Sequence, residues 1–368
     1  MYYVFPAATP ARGSLFNVEG VVFVRKRLPL ALAAAGSLLA AGLITTTPAV
    51  AEPTMNPGGP CLQENQTVMR SSVPDYRAME RQLLNIEKNS KGRVKVASAG
   101  KSGEGRELYY ATLGTGDTVI WLQARIHGNE LHSTESVLQI LQELGSSGSP
   151  SVKQILSELT IVAIPMYNPD GAEANIRQST TPNRQDLNRD WERFTQPESE
   201  AFWHLFVEKA PSIALDLHHM GQAPRVAGTD DLNQFQIGAH SVDPSRMSAD
   251  QWKLARQLSE VSIDAISGYG QTHVAKYPYI DITGGVISRM ILGGTAPDGF
   301  SPSMQKNVDA AIFYEVRSVG QKSNGYLEQL FTRPVMAVLK AAADGSLYSS
   351  DWSDYDRLSY ATNAPCGA

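Results

Sequence analysis

Thiols are almost absent from this chain: of 368 residues only Cys61 and Cys366 are cysteines, and neither has metal-site spacing. A metal centre built from thiolates is therefore excluded. Basic charge is also scarce, with 32 Lys and Arg against 37 Asp and Glu, a formal charge of −5 and a pI near 5.8. There is no basic stripe and no interleaving of aromatic and basic residues, so nucleic acid is not expected as a partner. Internal repeats and heptads are missing. A phosphate loop is missing too, because Gly100-Lys101-Ser102 would need glycine where Lys95 stands. The serine-rich stretch Gly145-Ser-Ser-Gly-Ser149 follows a helical segment rather than a strand, which excludes a nucleophile elbow. What remains is 42% hydrophobic and 19% charged, the composition of an ordered globular chain of one large or two modest domains.

The longest apolar run, Leu28–Ile44, spans 17 residues and is short for a bilayer. It follows Arg25-Lys26-Arg27 and precedes Ala49-Val50-Ala51, the order of an export signal with an A-x-A cleavage site. The alternative is an uncleaved anchor. The expected organisation is a signal peptide over 1–51, a flexible segment over 52–73 and a single catalytic domain over 74–368. Cleavage leaves 28 basic and 36 acidic residues, and a secreted protein without stable membrane association. In an oxidising compartment the economical reading of Cys61 and Cys366 is one disulfide joining the ends of the mature chain, against two free thiols. About 23 residues separate the cleavage site from the first helix, too few for a propeptide of familiar length.

Periodicity predicts helices over 74–90, 130–144, 197–210, 249–266 and 325–343. Strands are predicted over 94–99, 108–113, 118–126, 159–167, 213–217 and 311–316. Continuous apolar strands between amphipathic helices indicate a three-layer α/β domain, a mainly parallel mixed sheet covered on both faces. Its ligand site should lie at the carboxyl ends of the strands, where His127, Asn168 and His218 fall.

Trp121–Glu130 is the most informative stretch. An apolar run ends in a turn that presents an imidazole and a carboxylate three residues apart. Zinc accepts both donors, and a catalytic zinc needs three protein ligands and one open position. A plain polar turn is the alternative. Ser212–Met220 is a second strand-like run ending in His218 and His219, and Glu315 stands alone among Ile312, Phe313, Tyr314 and Val316. A buried lone carboxylate needs a partner or a purpose. His218 can complete a His, Glu, His set, leaving Glu315 as a base.

Six segments occur in an order that resembles the zinc carboxypeptidases of the carboxypeptidase A and B type: Gly100–Arg106, His127–Glu130, Asn168–Gly171, Asp186–Asp190, Asp216–His218 and Phe313–Glu315. The resemblance covers roughly residues 75–345. It implies that His127, Glu130 and His218 hold one Zn2+ and that Glu315 acts as general base. It also implies that Asn188 and Arg189 hold the C-terminal carboxylate of a peptide, restricting cleavage to the last bond. The alternative for Arg189 is a salt bridge to Asp186 or Asp190. Arg177 is expected to stabilise the oxyanion, with Arg184 as its rival.

The chain also departs from that pattern. Gly284-Gly285 resembles a glycine pair before a loop carrying a substrate-binding tyrosine, yet no tyrosine occurs from Val286 to Phe313. Tyr277, Tyr279 and Arg289 are the available substitutes. His132 and His219 read as non-ligands. Asp216 shares the strand facing of His218 and either orients that ligand or makes an ordinary buried hydrogen bond. The Ile282–Ser303 region is expected to set the preferred terminal residue. The resulting expectation is a secreted zinc carboxypeptidase acting on peptides with a free C-terminus. Its alternatives are a peptidase of peptidoglycan stem peptides, an N-acyl amino acid amidohydrolase, and a noncatalytic binding protein.

Overall fold

A helix, a hairpin and then alternating strands and helices build the domain. In chain order the elements are α1 (Tyr76–Asn89), β1 (Val94–Lys101), β2 (Glu107–Gly114), β3 (Thr118–Ala124), α2 (Ser133–Ser146), α3 (Pro150–Glu158), β4 (Leu159–Ile164), α4 (Pro169–Ala174), α5 (Pro197–Lys209), β5 (Ile213–Met220), β6 (Arg225–Val226) and β7 (Phe235–Gly238). There follow α6 (Ala249–Ile266), β8 (Val274–Lys276), α7 (Val286–Leu292), β9 (Ala310–Arg317), α8 (Asn324–Asp344), α9 (Ser353–Arg357) and β10 (Ala361–Thr362). The computed structural model describes residues 73–220, 225–226, 233–239, 242–278, 282, 284–293, 308–317 and 323–362. The expected signal peptide, nearly all of the 52–73 segment, Cys61, Cys366 and Tyr279 lie outside the described residues.

Eight strands form one sheet in the order β1-β2-β4-β3-β5-β9-β7-β8. The middle four, β4, β3, β5 and β9, run parallel, whereas β1 and β2 extend the sheet antiparallel on one side and β7 pairs antiparallel with β9 on the other. The parallel strands are buried nearly throughout, which explains why they read as unbroken apolar runs. This is the three-layer, mainly parallel mixed architecture expected from the sequence.

Two boundaries differ in ways that matter for the site. The predicted helix 130–144 begins only at Ser133, so Glu130 lies in the turn before it. The predicted strand 159–167 ends at Ile164, and Asn168 is instead the cap of α4, accepting from the Gly171 backbone N–H at 2.8 Å. The short elements α3, α4, α7, β7 and β8 were not anticipated.

An aromatic cluster anchors the loop after α4. Trp191 meets Trp203 and Phe206 of α5 edge-on at 5.2 and 5.4 Å, and its indole N–H donates to the Tyr167 hydroxyl at 2.8 Å. That fixes the short 3-10 turn Leu187–Arg189 beside the strand ends.

Candidate metal centre and cleft

The loop after β3 is shaped by close packing. Arg125 adopts φ 56° and is buried, its Nε donating to the Gly128 carbonyl at 3.1 Å and its Nη1 to the Pro74 carbonyl at 3.2 Å. A Cβ at position 128 would lie 2.0 Å from the Gly171 carbonyl carbon, so only glycine lets this loop rest on α4. Asn168 Nδ2 ties the two together by donating to the Ile126 carbonyl at 3.3 Å. Behind α4, buried Asp170 accepts from Ser102 Oγ at 2.7 Å, the Glu104 N–H at 2.8 Å and Arg106 Nη1 at 2.7 Å. The Gly100–Arg106 and Asn168–Gly171 segments are thus scaffolding for the turn that carries His127 and Glu130.

That turn meets the end of β5. His127 Nδ1 lies 2.6 Å from Glu130 Oε1, His218 Nδ1 lies 3.0 Å from Glu130 Oε2, and the two Nδ1 atoms are 3.2 Å apart. All three residues are buried, and their donor atoms fit a single ion. Two imidazole lone pairs and a carboxylate aimed at one point repel one another unless positive charge sits between them. Tetrahedral ligands at about 2.0–2.2 Å from one zinc stand about 3.3–3.6 Å apart, slightly wider than these spacings. The residues fit the ion.

The electrostatics show the same demand. Burial, the largest influence on Glu130, favours its neutral form, yet His127 and His218 hold the carboxyl well below the usual range. Burial also opposes charge on His218, but Asp216 and Glu130 outweigh it and raise the imidazole well above its ordinary value. The outer ring nitrogens face carboxylates: His218 Nε2 donates to Asp216 Oδ2 at 2.8 Å, and His127 Nε2 lies 3.3 Å from Asp186 Oδ1. Such carboxylate contacts fix the tautomer that leaves Nδ1 free for a metal. Of the two readings of Asp216, the orienting contact is the one present.

His219 and His132 are placed otherwise. His219 donates from Nδ1 to the Val316 carbonyl at 3.0 Å and accepts the His132 backbone N–H at Nε2, 2.9 Å, so both its nitrogens are engaged. His132 stands at the start of α2 outside the His127, Glu130, His218 group.

A cleft of about 470 Å³, partly open to solvent, lies over this group and is lined by His127, Arg177, Asn188, Arg189, His218, Tyr277, Ile282, Gly285, Ile287, Ser288, Phe313 and Glu315. Glu315 is paired in register with His218 across the parallel strands β5 and β9, so both side chains leave the same sheet face. Its Oε2 is buried and has no hydrogen-bond partner among the described residues. Burial pushes its carboxyl up to about 7, with His218 opposing and Glu130 adding to the shift.

Arg177 reaches in from the opposite side. Its Nε donates to Asp186 Oδ2 at 3.0 Å, while its Nη1 lies 3.2 Å from His127 Nδ1 and 3.8 Å from Glu130 Oε1. Arg184 is exposed and does not line the cleft. Asn188 Oδ1 accepts the Val286 N–H at 3.0 Å, and Arg189 Nη1 donates to the Asn188 carbonyl at 2.7 Å. Among the described residues Arg189 has no ion pair with Asp186 or Asp190. Asp190 instead accepts from Thr195 and Gln196 and shapes the turn.

Of the three substitutes for the missing tyrosine, Tyr277 lines the cleft, edge-on to Phe313 at 4.9 Å; Arg289 lies on α7 outside the lining. The part Asp186 plays, joining His127 to Arg177, was not anticipated. It sits 59 positions after His127, and no local spacing signals it.

Residues 79–279 match the family model described as zinc carboxypeptidase. Carboxypeptidase 2 of Trichophyton rubrum is 26% identical over 260 residues, covering 66% of this chain and 47% of that protein. Carboxypeptidase 2 of Trichophyton tonsurans is 32% identical over 170 residues, 44% of this chain and 30% of that protein. The chain thus spans half or less of the length of these curated relatives. A metallo-carboxypeptidase from Burkholderia cenocepacia superposes with a TM-score of 0.57 at 16% identity, covering 74% of this chain and 70% of that one. Carboxypeptidase A from Helicoverpa armigera gives 0.56 at 17%, covering 76% and 75%. With more than half of its residues matched by the family model and a single-ion His, Glu, His group at the mouth of its parallel strands, the chain belongs to the zinc carboxypeptidase family.

Proposed function

We propose that this protein is a zinc-dependent carboxypeptidase that hydrolyses the C-terminal amide bond of peptides. The observation supporting this most directly is that the cleft beside the His127, Glu130, His218 group is also lined by Glu315, Arg177, Asn188 and Arg189. His127, Glu130 and His218 hold the ion. A zinc ion there supplies Lewis acidity to a carbonyl and to water.

The protein's own groups do the rest. Arg189 offers a planar fork of donors to the terminal carboxylate of the substrate, with Asn188 beside it. This places the last amide bond, and no other, over the ion. Glu315 takes a proton from the attacking water and returns it to the leaving amine. Arg177, held by Asp186, presents Nη1 to the negative charge that develops on the carbonyl oxygen. Tyr277, kept protonated because burial and Glu315 push its phenol up to about 12, is a hydrogen-bond donor at the same cleft.

Arg189→Ala tests the anchoring role. Turnover of peptides with a free C-terminus should fall about 10²-fold or more, since removing one side of a desolvated charge pair costs about 3 kcal/mol. Amidated peptides should be little affected, and equal losses on both would refute the assignment. Turnover of N-acyl amino acids alone, in a panel with peptides and a muropeptide, would overturn the exopeptidase reading.

We also propose export, supported by the basic, apolar and A-x-A segments of residues 25–51. N-terminal sequencing of protein from the culture medium should begin at Glu52; intact chains confined to the cell would refute it.

A further inference from the structure

A second group of metal-ligating side chains lies behind the cleft, at the start of α2. His132, Glu135 and Glu328 bring one nitrogen and two carboxylate oxygens within 4.8 Å of one another. His132 is fully buried, yet neither ring nitrogen has a hydrogen-bond partner among the described residues. The same is true of both carboxylate oxygens of Glu135 and of the hydroxyls of Ser133 and Thr134. Four consecutive residues thus hold buried polar atoms without partners, where native structures leave a few per hundred residues. Leaving such groups unpaired is unfavourable, most of all when they are charged.

The arrangement supplies what the site needs. His132 Nδ1 is 3.9 Å from Glu135 Oε1, a few tenths of an ångström wider than the roughly 3.3–3.6 Å between tetrahedral ligands at about 2.0–2.2 Å from one ion, a gap that a small side-chain adjustment closes. Glu328 comes from α8, half-buried, with its carboxylate oriented by Gln139 Nε2 and its carbonyl accepting from Ser136 Oγ at 3.0 Å. Rotation of that long side chain completes the closure. A solvent-open cleft of about 850 Å³ between α1, α2 and α8 reaches both carboxylates and provides an entry path. Arg125 is the nearby buried cation, and its Nε and Nη1 donate to the Gly128 and Pro74 carbonyls.

We propose that His132, Glu135 and Glu328 form a second, structural divalent-cation site that pins the start of α2 to α8. One imidazole with two carboxylates selects a transition ion such as zinc or manganese over calcium, which takes oxygen ligands. The site is separate from the cleft but linked to it, because the His132 N–H is bonded to His219, next to His218. The inference does not rest on the carboxypeptidase reading: a chain that cut no peptide would still bind two ions.

Zn2+ counted by mass spectrometry after equilibrium dialysis of the full chain is the test. Wild type should hold two ions, and Glu328→Gln one, with peptide hydrolysis within a few-fold of wild type. His127→Ala should also hold one, and in that variant added Zn2+ should still raise the Tm. One ion in wild type that His127→Ala abolishes, or two in Glu328→Gln, would overturn the proposal. Should the variant fail to fold, anomalous diffraction at the zinc edge from wild-type crystals decides. A peak bounded by His132, Glu135 and Glu328 supports it, and a water molecule there overturns it.

Discussion

At the scale of single residues the chemistry rests on which lone pairs are already occupied. His219 stands next to His218 in sequence, yet its two nitrogens are committed to Val316 and His132, whereas His218 turns Nδ1 toward Glu130. Sequence spacing distinguished these two neighbours only through the resemblance; the strand facing supplies the physical reason, since successive side chains leave opposite faces. Glu315 was legible because a carboxylate among Phe313, Tyr314 and Val316 violates burial rules without a reason. Arg177 lies beside His127, whereas its rival Arg184 is exposed. For Glu315→Gln, zinc content should stay at the wild-type value while kcat falls about 10²- to 10⁴-fold, the usual contribution of a positioned proton acceptor. Unchanged turnover would remove Glu315 from the reaction.

At the scale of elements, long periodic segments could be read and short ones could not. The predicted helix 249–266 matches α6, whose Ser248 and Gln251 form a reciprocal cap. By contrast α3 buries only Val152 and Ile155, and β7 is four residues with both faces buried, so neither shows a period. Apolar periodicity continues upstream of Ser133 and extends the predicted helix to Glu130; the loop fixed by Arg125 and Gly128 overrides it. The braces behind that loop carry a prediction of their own. Asp170→Ala removes the acceptor of Ser102, Glu104 and Arg106, leaving buried donors and a guanidinium without their partner. Urea denaturation should show a loss of about 2–5 kcal/mol. A loss under 0.5 kcal/mol would show that α4 does not depend on this brace.

For the molecule as a whole, the order of layers follows from buried apolar strands alternating with amphipathic helices, and the segments 94–99 and 108–113 are β1 and β2 on one side of the sheet, whereas β7 and β8 on the other are too short to register. Stability should also carry a pH signature. Glu198, fully buried at the start of α5, accepts the Gly103 N–H at 3.1 Å through one oxygen, and burial pushes its carboxyl up to about 7. An unfolded glutamate titrates near 4.3, so the folded chain holds the proton more tightly between the two values. Stability from this group is therefore complete below about pH 4.3 and is lost as pH rises through about 7, with a slope of at most about 1.4 kcal/mol per pH unit. Chemical denaturation from pH 5 to 8 should show the decline, and Glu198→Gln should flatten it; identical slopes would exclude Glu198 as its source.

The braces centred on Asp170 and Gly128 lie within residues 79–279, the stretch by which kinship is recognised, whereas Glu315 sits on β9 beyond it. The metal group thus lies inside the matched stretch, and the acid proposed as its general base lies outside it. A descendant could exchange the acid on β9 for an amide, keep every strut beneath the cleft, and persist as an inert receptor for peptide tails.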